Sequence, residues 1–258
     1  MDNHLLFERE GQIGWIYLNN PAKLNSLDRG MLRGLIAHLE SLWKGDEVGA
    51  IIITGSGNKS FATGMNVNEF IGLDPHGAHE MISEVGRVCE LIRKLPVPVI
   101  AAINGYCMGA ALEMTLAADI RLASTNAVFG MPEVKLGIPS VVDAVLLQQY
   151  VGLGLAKEML LMAEPVSVQR INENGSMINK TVAPEELKDV AREYALKLIS
   201  NPKETKAIQK RLMETWQNSF LDIAIQDSKN ALAMSFATDI PGNRIKEFLQ
   251  ANKRKLEV

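Results

Sequence analysis

The stretch from Val97 to Asp119 constrains the fold of this chain more than any other. It opens with an unbroken apolar run, Val99-Ile100-Ala101-Ala102-Ile103, the pattern of a strand buried on both faces. The chain then turns at Asn104-Gly105 and passes through Gly109-Ala110-Ala111 into a helical run. A buried strand that feeds a helix through small residues leaves backbone N–H groups pointing out of the helix start, with room for a ligand atom to approach. An oxyanion hole is made in this way. Glu113 follows Ala110 by three residues, about one helical turn along the same face. The spacing therefore predicts an acid or base beside a site for an electrophile.

A second pattern overlaps the first. Gly105-Tyr106-Cys107-Met108-Gly109 has the spacing of a nucleophile elbow with cysteine in place of serine. That arrangement takes its acid and its histidine from downstream, whereas His4, His38, His76 and His79 all lie upstream. Cys107 reads instead as a small buried apolar residue.

Around this stretch the chain alternates strands and helices. Two short strands hinged near Gly11 lead through Asn19-Asn20-Pro21 to a helix capped by Asp28, with Met31, Leu32, Leu35, Leu39 and Leu42 at helical spacing. Ala50 to Gly55 is a buried strand, and Lys59 to Asn66 reads as a short loop of small residues. Strand, helix, strand is the opening of an α/β unit with a parallel sheet. A helix through Met81, Val85, Val88 and Ile92 ends at Leu95-Pro96 before the central strand. Short strands are expected at 120–123 and 127–130, followed by Pro132-Glu133, the turn Gly137-Ile138-Pro139 and a helix through Val142 to Val151. From Pro165 onward the pattern becomes helical and more charged, so residues 1–190 read as a sheet-based core and 191–258 as a helical C-terminal region.

Composition excludes several classes. Charged residues make up 22% and hydrophobic ones 47% of 258 residues, an ordinary balance for a folded soluble protein. The formal net charge of −3 gives no electrostatic reason to expect nucleic acid or an anionic membrane as partner. Two cysteines form no disulfide framework and no zinc spacing, so no metal is expected. The first residues show neither a basic nor an apolar leader segment and no apolar run has membrane-spanning length, so a cytoplasmic setting is expected.

Several residue groups together resemble one family, the enoyl-CoA hydratase/isomerase or crotonase superfamily. They are Asn20-Pro21 with Asn25-Ser26-Leu27, Phe61 to Asn66, Asn104-Gly105 through Glu113 to Asp119, Pro132-Glu133 with Gly137-Ile138-Pro139, and Ile178-Asn179-Lys180. Their order and spacing cover nearly the whole chain. The resemblance implies a crotonase-like α/β spiral of ββα repeats with a helical C-terminal trimerisation region, acyl-CoA thioester substrates, and a homotrimer or homohexamer working in fatty acid metabolism. It implies no cofactor, since coenzyme A is part of the substrate. By motif position the oxyanion-hole N–H groups would come from Met65 and Ala110, and CoA would lie along Ala22, Lys23, Leu24, Ala62 and Gly64. Glu113 would deprotonate the attacking water and Glu133 would protonate carbon two, so the resemblance implies a hydro-lyase that adds water to a 2-enoyl-CoA. An isomerase needs one proton-shuttling acid, and both glutamates are kept here.

The chain departs from the family pattern in two places. Met65-Asn66 stands where Gly or Ala followed by Asp is usual, and Ser140-Val141-Val142-Asp143 replaces a glycine-rich turn, with one residue fewer between Glu133 and Pro139. The β-branched pair Val141 and Val142 would narrow the acyl pocket, and Asp143 reads either as a first-turn helix acid or as a third carboxylate. Other reactions of the superfamily, namely isomerisation, decarboxylation and thioester hydrolysis, stay open at this point, as does a CoA-binding or scaffold protein without catalysis.

Overall fold

The computed structural model describes residues 4–43, 45 and 47–256, the last six as backbone. Among them lie two compact units that divide between Ser200 and Asn201. The residues 1–3 at the start of the expected leader-free N-terminus lie outside the described residues.

The first unit starts with a hairpin of β1 (Leu5–Glu10) and β2 (Ile13–Leu18), turned at Gly11 with φ 60°. α1 (Arg29–Trp43) follows, its first turn capped by Asp28, which accepts the Met31 N–H at 2.8 Å. Then come β3 (Ala50–Gly55), β4 (Ser60–Ala62) and α2 (Pro75–Lys94), and after them β5 (Val99–Ile103), β6 (Tyr106–Met108) and α3 (Ala110–Ala117). A third repeat has β7 (Ile120–Ser124), β8 (Val128–Gly130) and α4 (Leu147–Met162), the last broken at Gly152. β9 (Val166–Ser167), α5 (Val168–Asn174), β10 (Lys180–Val182) and α6 (Leu187–Ile199) complete the unit. The expected ββα repeats are thus present, and each sends its first strand to one sheet and its second to another.

The larger sheet has the order β1-β2-β3-β5-β7-β10, parallel except for the β1–β2 hairpin. The smaller has the order β4-β6-β8-β9, with only β8–β9 antiparallel. Both faces of the larger sheet are covered, which explains the unbroken apolar runs of β3 and β5. Ile13, Trp15, Ile52 and Ile100 pack against Leu187, Ala191 and Ala195 of α6. Ile16, Ile51, Ile53 and Val99 pack on the opposite face with Leu32, Leu35, Val85 and Val88 of α1 and α2. Full burial of an Ile or Leu side chain contributes roughly 1.5–3 kcal/mol, so these two layers fix where the strand ends lie. The boundary expected at 190 falls inside α6, whose residues 187, 191 and 195 pack on the sheet.

β4 and β6 were not expected as strands. Each has three residues and pairs with segments more than twenty residues away, Ser60 with Tyr106 and Cys107 with Phe129. Local pattern cannot signal such strands, because their stabilisation is entirely non-local.

The second unit consists of α7 (Lys203–Asn218), α8 (Leu221–Ser235) and α9 (Ile240–Leu256). α7 and α8 are joined by Arg211–Asp227 at 2.9 Å and by the Trp216 indole N–H donating to Ser228 Oγ at 2.9 Å. No helix among the described residues is long and apolar enough to cross a membrane.

Candidate active site

The turn between β5 and β6 is fixed by Asn104, whose amide donates to Gly55 O and Gly57 O, both at 2.9 Å. Gly105 has no alternative, since a Cβ there would lie 2.1 Å from Lys59 O. β6 then delivers the chain to Gly109, which adopts φ 52° ahead of α3 and donates its N–H to Gly130 O at 2.9 Å. Ala110 is the first residue of α3, so its N–H finds no carbonyl within the helix.

A second backbone segment reaches the same place. Leu27 N–H donates to Gly64 O at 2.8 Å, and Asn66 N–H donates to Leu27 O at 2.7 Å. Peptide groups alternate along an extended segment, so the Met65 N–H between them turns away from Leu27. Gly64 brings the two segments together: a Cβ on it would come 3.0 Å from Met108 O and 3.6 Å from Ala110 N. Met65 and Ala110 thus line one cavity of about 110 Å³ with Glu113, Glu133 and an apolar wall of Phe70, Ile82, Ile138 and Val141.

The two carboxylates reach that cavity by different routes. Glu113, in the first turn of α3, is 3% exposed. Glu133 opens a single 3-10 turn after β8, half-buried, and accepts the Ser140 hydroxyl at 2.9 Å. Its carboxylate lies over Gly109, where a Cβ would approach Glu133 Oε1 to 2.3 Å. Burial, with the like charges of Glu133 and Asp143, pushes the Glu113 carboxyl up to about 8 against the pull of the Val141 and Ala144 backbone N–H groups. Glu133 is also raised by burial, which its own backbone and Ser140 oppose. Glu113 can therefore carry a proton at neutral pH.

The family model described as Enoyl-CoA hydratase/isomerase matches residues 8–255. The chain belongs to the enoyl-CoA hydratase/isomerase family. It is 31% identical over 256 residues to a short-chain-enoyl-CoA hydratase of Clostridium acetobutylicum, covering 99% of this chain and 97% of that one. It is 30% identical over 251 residues to a crotonyl-CoA hydratase of Syntrophomonas wolfei, with 97% and 96% covered. The solved structure of an enoyl-CoA hydratase from Bacillus anthracis superposes with a TM-score of 0.89 at 29% identity, covering 98% of this chain and 96% of that one. The expected crotonase-like α/β fold is the fold of this family member.

The remaining family-derived positions fall in different surroundings. Ala22 and Lys23 are exposed in a short turn, and Leu24 takes a left-handed backbone, φ 52°. Thr63 Oγ1 donates to Leu24 O at 3.4 Å, which joins this turn to the Gly64–Met65 segment. Ala62 is fully buried in β4, so it contributes no side-chain surface. Val141 lines the cavity, whereas Val142 packs toward α2, its Cγ1 3.7 Å from where a Cβ on Gly86 would stand. Cys107 is wholly buried beside Thr115 and burial raises its thiol, so it offers no thiolate nucleophile.

The partners of two residues named from the sequence are not legible in it. Buried Asn25 accepts the Asn20 N–H at 2.9 Å and donates to Ser56 O and Ser60 O at 3.0 and 2.9 Å, tying the 20–25 loop to β4. Asp143 is 5% exposed and pairs with Arg93 of α2, so it is no solvated first-turn acid.

Proposed function

We propose that the protein catalyses the reversible addition of water to a 2-enoyl-CoA thioester. Supporting this reading most directly is the convergence of Glu113 and Glu133 on one apolar-walled cavity flanked by the Met65 and Ala110 N–H groups. A thioester carbonyl between two such donors gains charge as the enolate forms, and each preorganised donor stabilises that charge by roughly 3–4 kcal/mol. In hydration Glu113 takes a proton from water as oxygen adds to carbon three, and Glu133 gives its proton to carbon two. Dehydration runs with the proton placed the other way round. Both directions need one proton on the pair; with the Glu113 carboxyl raised to about 8 it rests on Glu113 near neutrality, the arrangement from which dehydration starts, and hydration proceeds from the arrangement in which Glu133 carries it.

Coenzyme A enters as part of the substrate and no separate cofactor is required. The turn at Ala22 to Leu24, tied to Thr63, is where the nucleotide end would lie. The relatives' names, short-chain-enoyl-CoA and crotonyl-CoA hydratase, favour a short acyl chain, as does the small cavity. A homotrimer or homohexamer is part of the same reading.

A second reading is double-bond isomerisation. It is favoured by the β-branched Val141, which lines the cavity beside Glu113 on the turn that replaces a glycine-rich one. The two differ in whether solvent oxygen enters the product. Loss of the enoyl-thioester absorbance of crotonyl-CoA tests the glutamate roles. Glu113→Gln and Glu133→Gln are each expected to lower kcat by about 10²–10⁴-fold with the fold intact, and full activity in either refutes the assignment.

A further inference from the structure

Glu133 stands at the start of the 3-10 turn Glu133–Leu136, which Gly137 closes with a left-handed backbone, φ 76°. The Ile138 N–H donates back to Glu133 O at 3.2 Å, and the chain returns so that Ser140 meets the glutamate seven positions before it. The Ser140 hydroxyl donates to Glu133 Oε2 at 2.9 Å, with both residues half-buried. The other carboxylate oxygen, Oε1, is the one that a Cβ on Gly109 would approach to 2.3 Å, so it lies at the start of α3 beside Ala110. A serine hydroxyl has one proton to donate, and glycine at position 140 would have none. While the bond is made Oε2 is an acceptor, and a proton carried by Glu133 sits on Oε1.

We propose that Ser140 is a positioning residue for Glu133: its hydroxyl holds Oε2 and leaves Oε1, over Gly109, to exchange the proton of carbon two. This rests on the reading of Glu133 as the acid for that carbon. Glu113 of α3 faces the same cavity. Around the turn, Lys135 pairs with Glu164 at 2.8 Å, Glu158 of α4 with Arg170 at 2.6 Å, and Asp143 with Arg93. Lys157 of α4 lines a neighbouring groove together with Ser140 and Val141. A hydrogen bond donated to a carboxylate favours its charged form, so Ser140 opposes the rise that burial imposes on Glu133.

The test follows the infrared bands of the Glu133 carboxyl, assigned by their loss in Glu133→Gln, as pH is lowered from neutrality. Ser140→Ala removes the donor, so the midpoint is expected to move to higher pH by about one unit. In the same variant kcat for crotonyl-CoA hydration is expected to fall about 10- to 100-fold with KM within about twofold of wild type. In a Glu133→Gln background the same substitution is expected to change kcat less than about twofold, since a residue acting through Glu133 has nothing left to position. Should Ser140→Ala be recovered unfolded, Ser140→Gly also lacks the hydroxyl and is expected to give the same changes. An unmoved midpoint, full kcat in a folded variant, or an equal fall of kcat in the Glu133→Gln background overturns the inference. Full turnover by Glu133→Gln instead overturns the role of Glu133, and the infrared midpoint then decides alone whether Ser140 holds its carboxylate.

Discussion

Glu113 illustrates how a single buried carboxyl ties stability to pH. Its carboxyl holds its proton to about 8 in the folded chain, against 4.5 as the ordinary value. Between these pH values the unfolded chain releases a proton that the folded chain retains. The folded state is therefore fully stable in this respect below about 4.5 and loses stability as pH rises toward about 8, by on the order of 4–5 kcal/mol. Glu113→Gln, which cannot ionise, is expected to melt higher than wild type at pH 8 and close to it at pH 4.5, a comparison that calorimetry at the two pH values makes directly. Gly109 makes a second residue-scale case. A methyl there meets the movable end of Glu133, not backbone, and also strains a residue at φ 52°. Gly109→Ala is expected to keep the fold and lower kcat at least about 100-fold by displacing that carboxylate, whereas wild-type kcat would show that Glu133 need not sit over Gly109. The sequence showed both glutamates but not Asp143's burial, because an acid in a first helical turn is ordinarily solvated and the arginine that buries it lies fifty positions upstream.

At the scale of elements, strongly periodic segments were legible and short paired ones were not. α1 and α2 carry apolar side chains at helical spacing, and β3 and β5 are unbroken apolar runs, so each announces itself locally. β4 and β6 depend on partners brought by the spiral, and without them the relation of Met65 to Ala110 cannot be drawn. The loop from Asn20 to Asn25 depends likewise on one side chain. Asn25→Ala leaves the Asn20 N–H and the Ser56 and Ser60 carbonyls without their partner in a buried place. It is expected to cost about 2–3 kcal/mol of stability, read from urea unfolding, and to raise KM for the CoA thioester more than it lowers kcat. An equal fall in kcat and kcat/KM would contradict that loop's part in CoA binding.

For the whole molecule, the second unit leaves large apolar side chains in solvent, among them Phe220 at 84%, Leu221 at 73% and Met234 at 68% exposure. Exposed apolar surface of this kind marks an interaction face. Light scattering on the purified protein is expected to give the mass of three or six chains, and a monomer would contradict the trimer or hexamer. The family and the fold were legible because motifs spread along the chain meet at one cavity, whereas the turn from Ser140 to Asp143, which departs from the family pattern and brings Val141 to that cavity, leaves the reaction to experiment. The most direct measurement is therefore incubation with crotonyl-CoA in oxygen-18 water, following the enoyl-thioester absorbance and the product mass. A 3-hydroxyacyl-CoA carrying the label is the predicted result. A product without solvent oxygen, or no turnover with CoA binding intact, would contradict hydration.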